Sequence, residues 1–519
     1  MGVQGLNVFV TENSLHKDCQ FFSDNELIID GNNLLCGLER NENHTSVSEN
    51  CSSVCNVIRN FIEKLRSCQV RPIFIFDGGH ANEKNTQSGK DKYRHKIICW
   101  KQIMVEVLQG LNIPTVWCDY EADSEIAKIA NECKCPVLSE DNDFYIMELN
   151  YGFINYKYFE WKTANERGIE CKIFDREQFC QKTKISKECI SLVAAFTGTE
   201  KLSMNVKDAI CCLEGHNSVD TAIDSALNQV GISNDERAHL KKEIMYTSSL
   251  YDLPEESPAF AYHKDKNPEA ESDLKSRCCF PSWFIKLYRE RGINKYAVDV
   301  VLHHQRTLRH SVNEQDVSLS LRRLQYGILV NDGSTIKEYR RTLDSDSLNE
   351  VVVQPTAQLP NLVDISNKNE NEREKLFFQF LESNKDDYAA DQSEFYLPMA
   401  SLNFLLQKYP VSERQDASAS DFYTVISKSQ KRKLKKAENQ QSKQAVAQWM
   451  IVLKHAISLN HLLRSPIPEF DIKIIYSNWQ HFSQLLETGV KRTRLDSEVP
   501  ISGREKTLYD ALKEIIEKY

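Results

Sequence analysis

The first two hundred or so residues read as an α/β fold built on a doubly wound, mainly parallel sheet, and the C-terminal half reads as mostly helical. Three observations predict this. Continuous apolar runs that each end in an aspartate, ELIID at 26–30 and PIFIFD at 72–77, have the length and composition of strands buried on both faces. Between them Val54, Val57, Ile58, Phe61, Ile62 and Leu65 recur at helical spacing. The alternation of strand and helix then repeats up to residue 140, the pattern of parallel crossover units.

Taken in order, the chain opens with MGVQGLNVFV, in which removal of the initiator methionine is expected to leave Gly2 as the mature terminus. The strand ending at Asp30 runs into the loop-like GNN, and the helix 53–68 leads to the strand before Asp77 and its two glycines. Tyr93, Ile97, Trp100, Met104, Val107 and Leu111 mark one face of a further helix, followed by a short strand Thr115–Cys118, a helix Ser124–Cys133 and a strand Pro136–Leu138. Ligand sites of such sheets lie beyond the carboxyl ends of the strands. Asp30, Asp77, Asp141 and Asp143 fall there, and Glu121 and Asp123 lie beyond the strand ending at Cys118.

The spacing of two in each acidic pair has a local consequence. At strand periodicity Asp141 and Asp143 are expected to point the same way off the end of a buried strand. Glu121, Asp123 and Glu125 are expected in a first helical turn, where the helix dipole favours negative charge. Six carboxylates converging on one sheet edge repel one another, and each raises its neighbours' pKa unless cations neutralise them. Oxygen ligands without a supporting His or Cys point to a hard divalent ion, Mg²⁺ or Mn²⁺, rather than zinc. The alternative is that the pairs cap helices and line solvated loops, in a chain with 74 acidic residues.

Length and composition set further bounds. A chain of 519 residues is expected to form two or three domains, and its formal net charge of −9 argues against a general nucleic-acid coat while allowing a local basic surface. All 16 cysteines lie between Cys19 and Cys279 without a C-x-x-C pair, so reduced, buried thiols are expected rather than a zinc site. There is no signal-peptide pattern and no apolar run of about 18 residues, so no membrane partner is expected. His303, His304 and His310 lack a completing ligand and read as exposed helix-end histidines. Residues 344–394 hold 12 acidic and 4 basic side chains and read as an acidic linker leading into a helix near Glu374–Leu381. Helices are expected at Tyr396–Tyr409, Ala445–Leu463, Trp479–Leu486 and Arg504–Tyr519. The run KRKLKK at 431–436 is of nuclear-import type, or a solvated helix end.

Five blocks carry a resemblance. MGVQGL, IIDGNNLL, FIFDGG, EADSEIA and SEDNDF follow, in order and at similar spacing, the signature blocks of the flap endonuclease and XPG superfamily of PIN-like nucleases. EADSEIAKIANECKCPVLSEDNDFYIM resembles most the asteroid branch of that superfamily. The resemblance covers residues 1–215 and implies a PIN-like nuclease core there, with a helical arch between Asp77 and Gly110. A helical extension at 216–343, an acidic linker and helix at 344–395 and a helical region at 396–519 are expected to follow.

The resemblance also implies a chemistry: a structure-selective, metal-dependent endonuclease using two Mg²⁺ or Mn²⁺ ions. Asp30 and Asp77 would hold one ion, Glu121 and Asp123 the centre of the cluster, and Asp141 and Asp143 the second ion. Glu200, in FTGTE, stands at the family's Gly-x-Asp aspartate. Lys84 and Arg94 match the pair that polarises the phosphate, and Gly2, Lys90, Lys92 and Lys96 would join them in contacting nucleic acid. A basic helix is otherwise a solvated one. Partners implied are single-stranded DNA or DNA with single-stranded ends, with repair proteins on the C-terminal half, in the nucleus or alternatively the cytoplasm.

This sequence departs from the family in three places. Asp123 is one methylene shorter and Glu200 one longer than the usual residues, and KLSMNVKDAICC lacks the glycines of the duplex-gripping hairpin. The rival is a catalytically silent scaffold. All seven acidic positions carry carboxylates, which favours the enzyme. A kinase or phosphatase would need a phosphate loop or nucleophile motif that is absent.

Overall fold

The computed structural model describes residues 3, 5–21, 25–34, 37, 51–77, 100–118, 121–165, 167–199, 201–202, 204–255, 292–293, 314–330, 332–341, 348–408, 448–472, 474–475, 482, 485–486 and 503–518. Two compact units divide the chain. One comprises Met1–His44, Cys55–Gly78 and Met104–Lys266, the other Thr45–Val54, Gly79–Ile103 and Asn267–Tyr519.

In the first unit, helix α1 (Leu6–Glu12) starts after Gly5, whose φ of 86° lies in the left-handed region that only glycine adopts without strain. Strands β1 (His16–Phe21) and β2 (Glu26–Asp30), helix α2 (Cys51–Ser67), strand β3 (Arg71–Phe76), helix α3 (Trp100–Gly110) and strand β4 (Thr115–Trp117) follow. Next come α4 (Asp123–Cys133), β5 (Val137–Ser139), β6 (Phe153–Phe159) and β7 (Ile169–Phe174). The sheet order is β1-β7-β6-β5-β2-β3-β4. Its five strands from β6 to β4 are parallel, and β7 and β1 pair antiparallel at the edge. The chain therefore enters at β2, moves outward through β3 to β4, and crosses back to β5 on the other side of β2. That reversal is the topological switch where such sheets bind ligands.

Both faces of the central strands are covered, which is why their sequences are continuously apolar. Ile28, Ile73, Ile75, Val116, Val137 and Phe153 join one apolar cluster with Ile126, Ala127, Ile129 and Ala130 of α4. The alternate residues Leu27, Ile29, Phe74 and Phe76 are equally buried and point the other way. On α2 the expected stripe is realised, with Ile58, Phe61, Ile62 and Leu65 buried and Phe61 edge-on to Trp161 at 5.2 Å.

Helices α5 (Arg176–Thr183), α6 (Ser191–Gly198), α7 (Val206–Leu213), α8 (Val219–Val230) and α9 (Asn234–Ser249) complete the unit. The expected boundary at residue 215 is too early. Ile223, Leu227, Leu240 and Ile244 are fully buried in the cluster that covers the sheet, and the compact unit runs on to Lys266. Three strands, β1, β6 and β7, were also not expected from the sequence. β1 is a polar edge strand, HKDCQF, and carries no continuous apolar run.

The second unit is mostly helical and holds in addition a small sheet of order β10-β9-β8, made of β8 (Gly292–Ile293), β9 (Ile336–Arg341) and β10 (Leu348–Val353). β8 lies within the stretch 216–343, expected to be a helical extension. Helix α10 (Leu319–Leu329) directs the guanidinium of Arg322 onto both oxygens of Glu338 at 2.7 and 3.0 Å, and Tyr326 donates to the same carboxylate. Helices α11 (Leu362–Asn367), α12 (Glu370–Phe380), α13 (Tyr396–Lys408), α14 (448–462) and α15 (Arg504–Lys518) follow. Of the expected acidic linker at 344–395, residues 348–395 are described and folded. Asp364, Glu372 and Asp387 each close a capping box with Asn361, Asn369 and Asn384, and Phe377, Phe378 and Phe380 are buried. These three acids serve helix starts rather than solvation. The KRKLKK run and the three histidines lie outside the described residues.

Candidate metal centre

The chain leaves β2 through Gly31, where a Cβ would stand 2.3 Å from the Phe76 ring of the neighbouring strand, so only glycine lets the turn pass. That turn carries Asn32 and Asn33. Asp30, the last residue of β2 and 3 % exposed, accepts from the Asn33 backbone N–H at 3.0 Å and side chain at 2.6 Å, and from the Ser139 hydroxyl at 2.8 Å. The Ser139 oxygen accepts in turn from the Asp141 backbone N–H at 3.0 Å. Ser139 thus ties the ends of β2 and β5 together at the switch. Asp77, just past β3, accepts from the Ala122 backbone N–H at 2.9 Å and from the Asn32 side chain, which fixes the start of α4 against the turn after β2.

Asp123 is the first residue of α4, with Ala122 as N-cap, so Glu121 precedes the helix instead of lying in its first turn. The extended geometry expected for Asp141 and Asp143 is also not adopted. Asp141 caps a 3-10 turn, Asn142–Tyr145, its Oδ1 accepting from the Asp143 backbone N–H at 3.0 Å, and Asp143 sits inside the turn. A helical turn brings the two carboxylates together by a different route. The capping alternative holds in part: Asp30 and Asp141 each use an oxygen in this way. Capping does not account for the third member. One oxygen each of Asp123, Asp141 and Asp143 lies within 4.8 Å of the others, and among the described residues this is the one such group of three or more metal-ligating side chains.

The electrostatics follow from crowding and burial. Burial and the Asp77 charge push Asp30 up to about 6 against the pull of its Asn33 and Ser139 bonds. Burial and the charges of Asp141, Asp30, Asp77 and Glu121 hold the Asp123 carboxyl well above the usual range. A cluster that raises its own proton affinity is one that a divalent cation stabilises by displacing those protons. Three convergent carboxylates and no nitrogen or sulfur donor in the group fit a hard ion such as Mg²⁺ or Mn²⁺.

The structure brings Asp30, Asp77, Glu121, Asp123, Asp141 and Asp143 to one end of the sheet, and five of these six couple electrostatically through Asp123. Gly2, Lys84, Lys90, Lys92, Arg94, Lys96 and Glu200 lie outside the described residues. Four supporting residues were not singled out from sequence: Asn32, Asn33, Ser139 and Tyr251. The asparagines directly follow a strand-ending aspartate, which is a usable signal. Tyr251, whose hydroxyl donates to Asp143 Oδ1 at 3.0 Å from 108 positions away, left none.

Comparison with known proteins gives matches at both ends of the chain. The XPG N-terminal domain model matches residues 1–98 and the asteroid N-terminal domain model matches residues 357–519. A single-strand DNA endonuclease ASTE1 from Danio rerio is 28 % identical over 381 residues, covering 64 % of this chain and 54 % of that protein. The Homo sapiens protein of the same name is 29 % identical over 237 residues, covering 40 % and 34 %, and protein asteroid of Drosophila melanogaster 27 % over 170 residues, covering 29 % and 20 %. The chain spans about half the length, or less, of these curated relatives. Among solved structures, the catalytic core of Rad2 in complex with DNA substrate matches at a TM-score of 0.37 and 15 % identity, covering 49 % of this chain and 87 % of that one. Human GEN1 in complex with Holliday junction DNA matches at a TM-score of 0.37 and 14 % identity, covering 50 % and 68 %. Both domain models and the named relatives agree in what this chain is similar to, the asteroid-type, XPG-like proteins.

Proposed function

We propose that the protein is a structure-selective, divalent-metal-dependent endonuclease that hydrolyses phosphodiesters in single-stranded DNA or in DNA with single-stranded ends. The observation that carries this reading is the convergence of Asp123, Asp141 and Asp143 at the switch point of the sheet. The names of the ASTE1 relatives support the choice of substrate. Asp123, Asp141 and Asp143 would hold one divalent ion, with Asp30, Asp77 and Glu121 lying towards a second. Bound there, two such ions lower the pKa of an attacking water and stabilise the leaving oxygen.

The chain's own residues do the rest. Asn33 and Ser139 hold Asp30, and Asn32 and the Ala122 amide hold Asp77, so that the ligand set is in place before substrate arrives. In the reaction an O–P bond forms from water and the P–O3′ bond breaks, the leaving oxygen gaining a proton, which yields a 5′ phosphate and a 3′ hydroxyl. Lys84 and Arg94 offset the charge that builds on the phosphate oxygens, and Glu200 completes the acidic set.

The test is a panel of labelled single-strand, overhang, flap and duplex DNA and RNA with Mg²⁺ or Mn²⁺. Wild type should cut the single-stranded DNA and overhangs, and Asp141→Ala should lose at least about 100-fold in rate, since losing a ligand costs no less than the upper end for losing a ligand's hydrogen-bonding partner. Wild-type activity retained by Asp141→Ala, or no cutting of any member by wild type, would sink the enzymatic reading.

A further inference from the structure

We infer that Tyr251 is a positioning residue of the metal centre: its hydroxyl, donated to Asp143, sets the orientation of that carboxylate and so the affinity of the site for a divalent ion. This rests on the reading of Asp123, Asp141 and Asp143 as ligands. The contact is direct, Tyr251 Oη to Asp143 Oδ1 at 3.0 Å, and Asp143 is only 7 % exposed, so its carboxylate turns in a confined space. Asp141 is oriented by its own turn, through the Asp143 backbone N–H, and Asp123 is placed as the first residue of α4. Asp143 has an orienting donor from outside the sheet edge, just beyond the end of α9.

That end is itself anchored. Ser248 shares a 2.6 Å hydroxyl pair with Ser191 at the start of α6, and Tyr251 packs against the apolar cluster that covers the sheet. The phenol is thus delivered from a turn tied to the anchored end of a helix, the Tyr251 N–H donating to the Ser248 carbonyl at 3.2 Å. Its chemistry also suits the task. A lysine at this place would neutralise Asp143 and compete with the cation. A phenol supplies one directed hydrogen bond and leaves the carboxylate's charge for the metal.

The experiment is a titration of the full chain with Mn²⁺ alone, followed by the electron paramagnetic resonance of the free ion, for wild type, Tyr251→Phe and Asp141→Ala. Phenylalanine keeps the ring and its packing, and the metal-free melting temperature of each variant checks the fold. Tyr251→Phe should bind Mn²⁺ at least about 10-fold more weakly, the effect usual for removing a hydrogen bond to a ligand. Its cleavage rate should recover when Mn²⁺ is raised in proportion, because the loss is of affinity. A merely structural tyrosine would lower the melting temperature and leave the Mn²⁺ affinity as it was, and that result overturns the assignment. If wild type binds Mn²⁺ and Asp141→Ala does not, while Tyr251→Phe matches wild type, the role of Tyr251 falls and the metal centre stands. If wild type and Asp141→Ala bind equally, both fall.

Discussion

Asp123 lies in the field of Asp141, Asp30, Asp77 and Glu121, and the cost of that position depends on pH in a determinate direction. A carboxyl whose pKa is raised on folding binds a proton more tightly in the native state than in the unfolded chain. Stability is therefore highest below the unfolded value, near 4, and falls as pH rises through the native one. For Asp30 the window runs from the ordinary 3.8 to about 6, a destabilisation on the order of 3 kcal/mol at neutral pH when no cation is bound. Asp123→Asn removes one charge from the same cluster without changing its shape. In the presence of chelator at pH 7.5 its melting temperature should exceed that of wild type by at least about 2 °C, the shift that 1 kcal/mol makes in a domain of this size. The gain should shrink as the pH is lowered through 4, since below the ordinary value of 3.8 Asp123 is protonated in both states. Calorimetry at three pH values checks the sign, and an unchanged or lower melting temperature at pH 7.5 would contradict the crowding. The carboxylates themselves were legible as residues, because each follows an apolar strand or opens a helix. Their neighbours were less so. Ser139 acts through a bond to Asp30, 109 positions away, that no spacing rule encodes.

At the level of elements, four of the five parallel strands were readable from apolar runs buried on both faces, whereas β6 carries Asn155 and Lys157, β1 is polar and β7 alternates. The turn after β5 was misread for a related reason. A strand's period of two and a capped 3-10 turn both bring i and i+2 side chains near each other, and the sequence SEDNDF satisfies either. The largest correction concerns α8 and α9, which the blocks of resemblance do not reach. Ile223, Leu227, Leu240 and Ile244 are fully buried. Removing four such side chains forfeits roughly 6–12 kcal/mol at 1.5–3 kcal/mol each, comparable with the whole stability of an ordinary domain. A chain ending at Gly215 should accordingly show no cooperative unfolding transition, while one ending at Lys266 should melt cooperatively. Circular dichroism of the two distinguishes these outcomes, and a sharp transition in the shorter chain would mean that α8 and α9 are accessory.

For the molecule as a whole, the second unit was legible in its helices and not in its chemistry. Three of the acids of 344–395, Asp364, Glu372 and Asp387, read as solvation in the sequence and close capping boxes with asparagines three residues earlier. The buried Arg322–Glu338 pair joins α10 to a strand that no apolar run announced. All the acidic ligands proposed and described fall in the first unit. Adding Mn²⁺ to the full chain should therefore slow amide exchange in the turns at 30–34, 121–123 and 139–145 and near residue 251. Exchange in α12 and α13 should stay the same. Mass spectrometry of exchanged peptides measures it, and protection spread evenly along the chain would argue for a general effect of the ion.

The switch-point topology has a consequence for biosynthesis. The bonds that assemble the centre join residues 45 positions apart at Asp77, 109 apart between Ser139 and Asp30, and 108 apart between Tyr251 and Asp143. Translation at about 5–20 residues per second means that the first aspartate waits many seconds in the cytosol before its last partner has been made. A chain still on the ribosome, or one unfolded by heat, keeps its carboxylates far apart. An enzyme of the proposed kind is silent throughout that interval, and its activity arrives only with the folded unit.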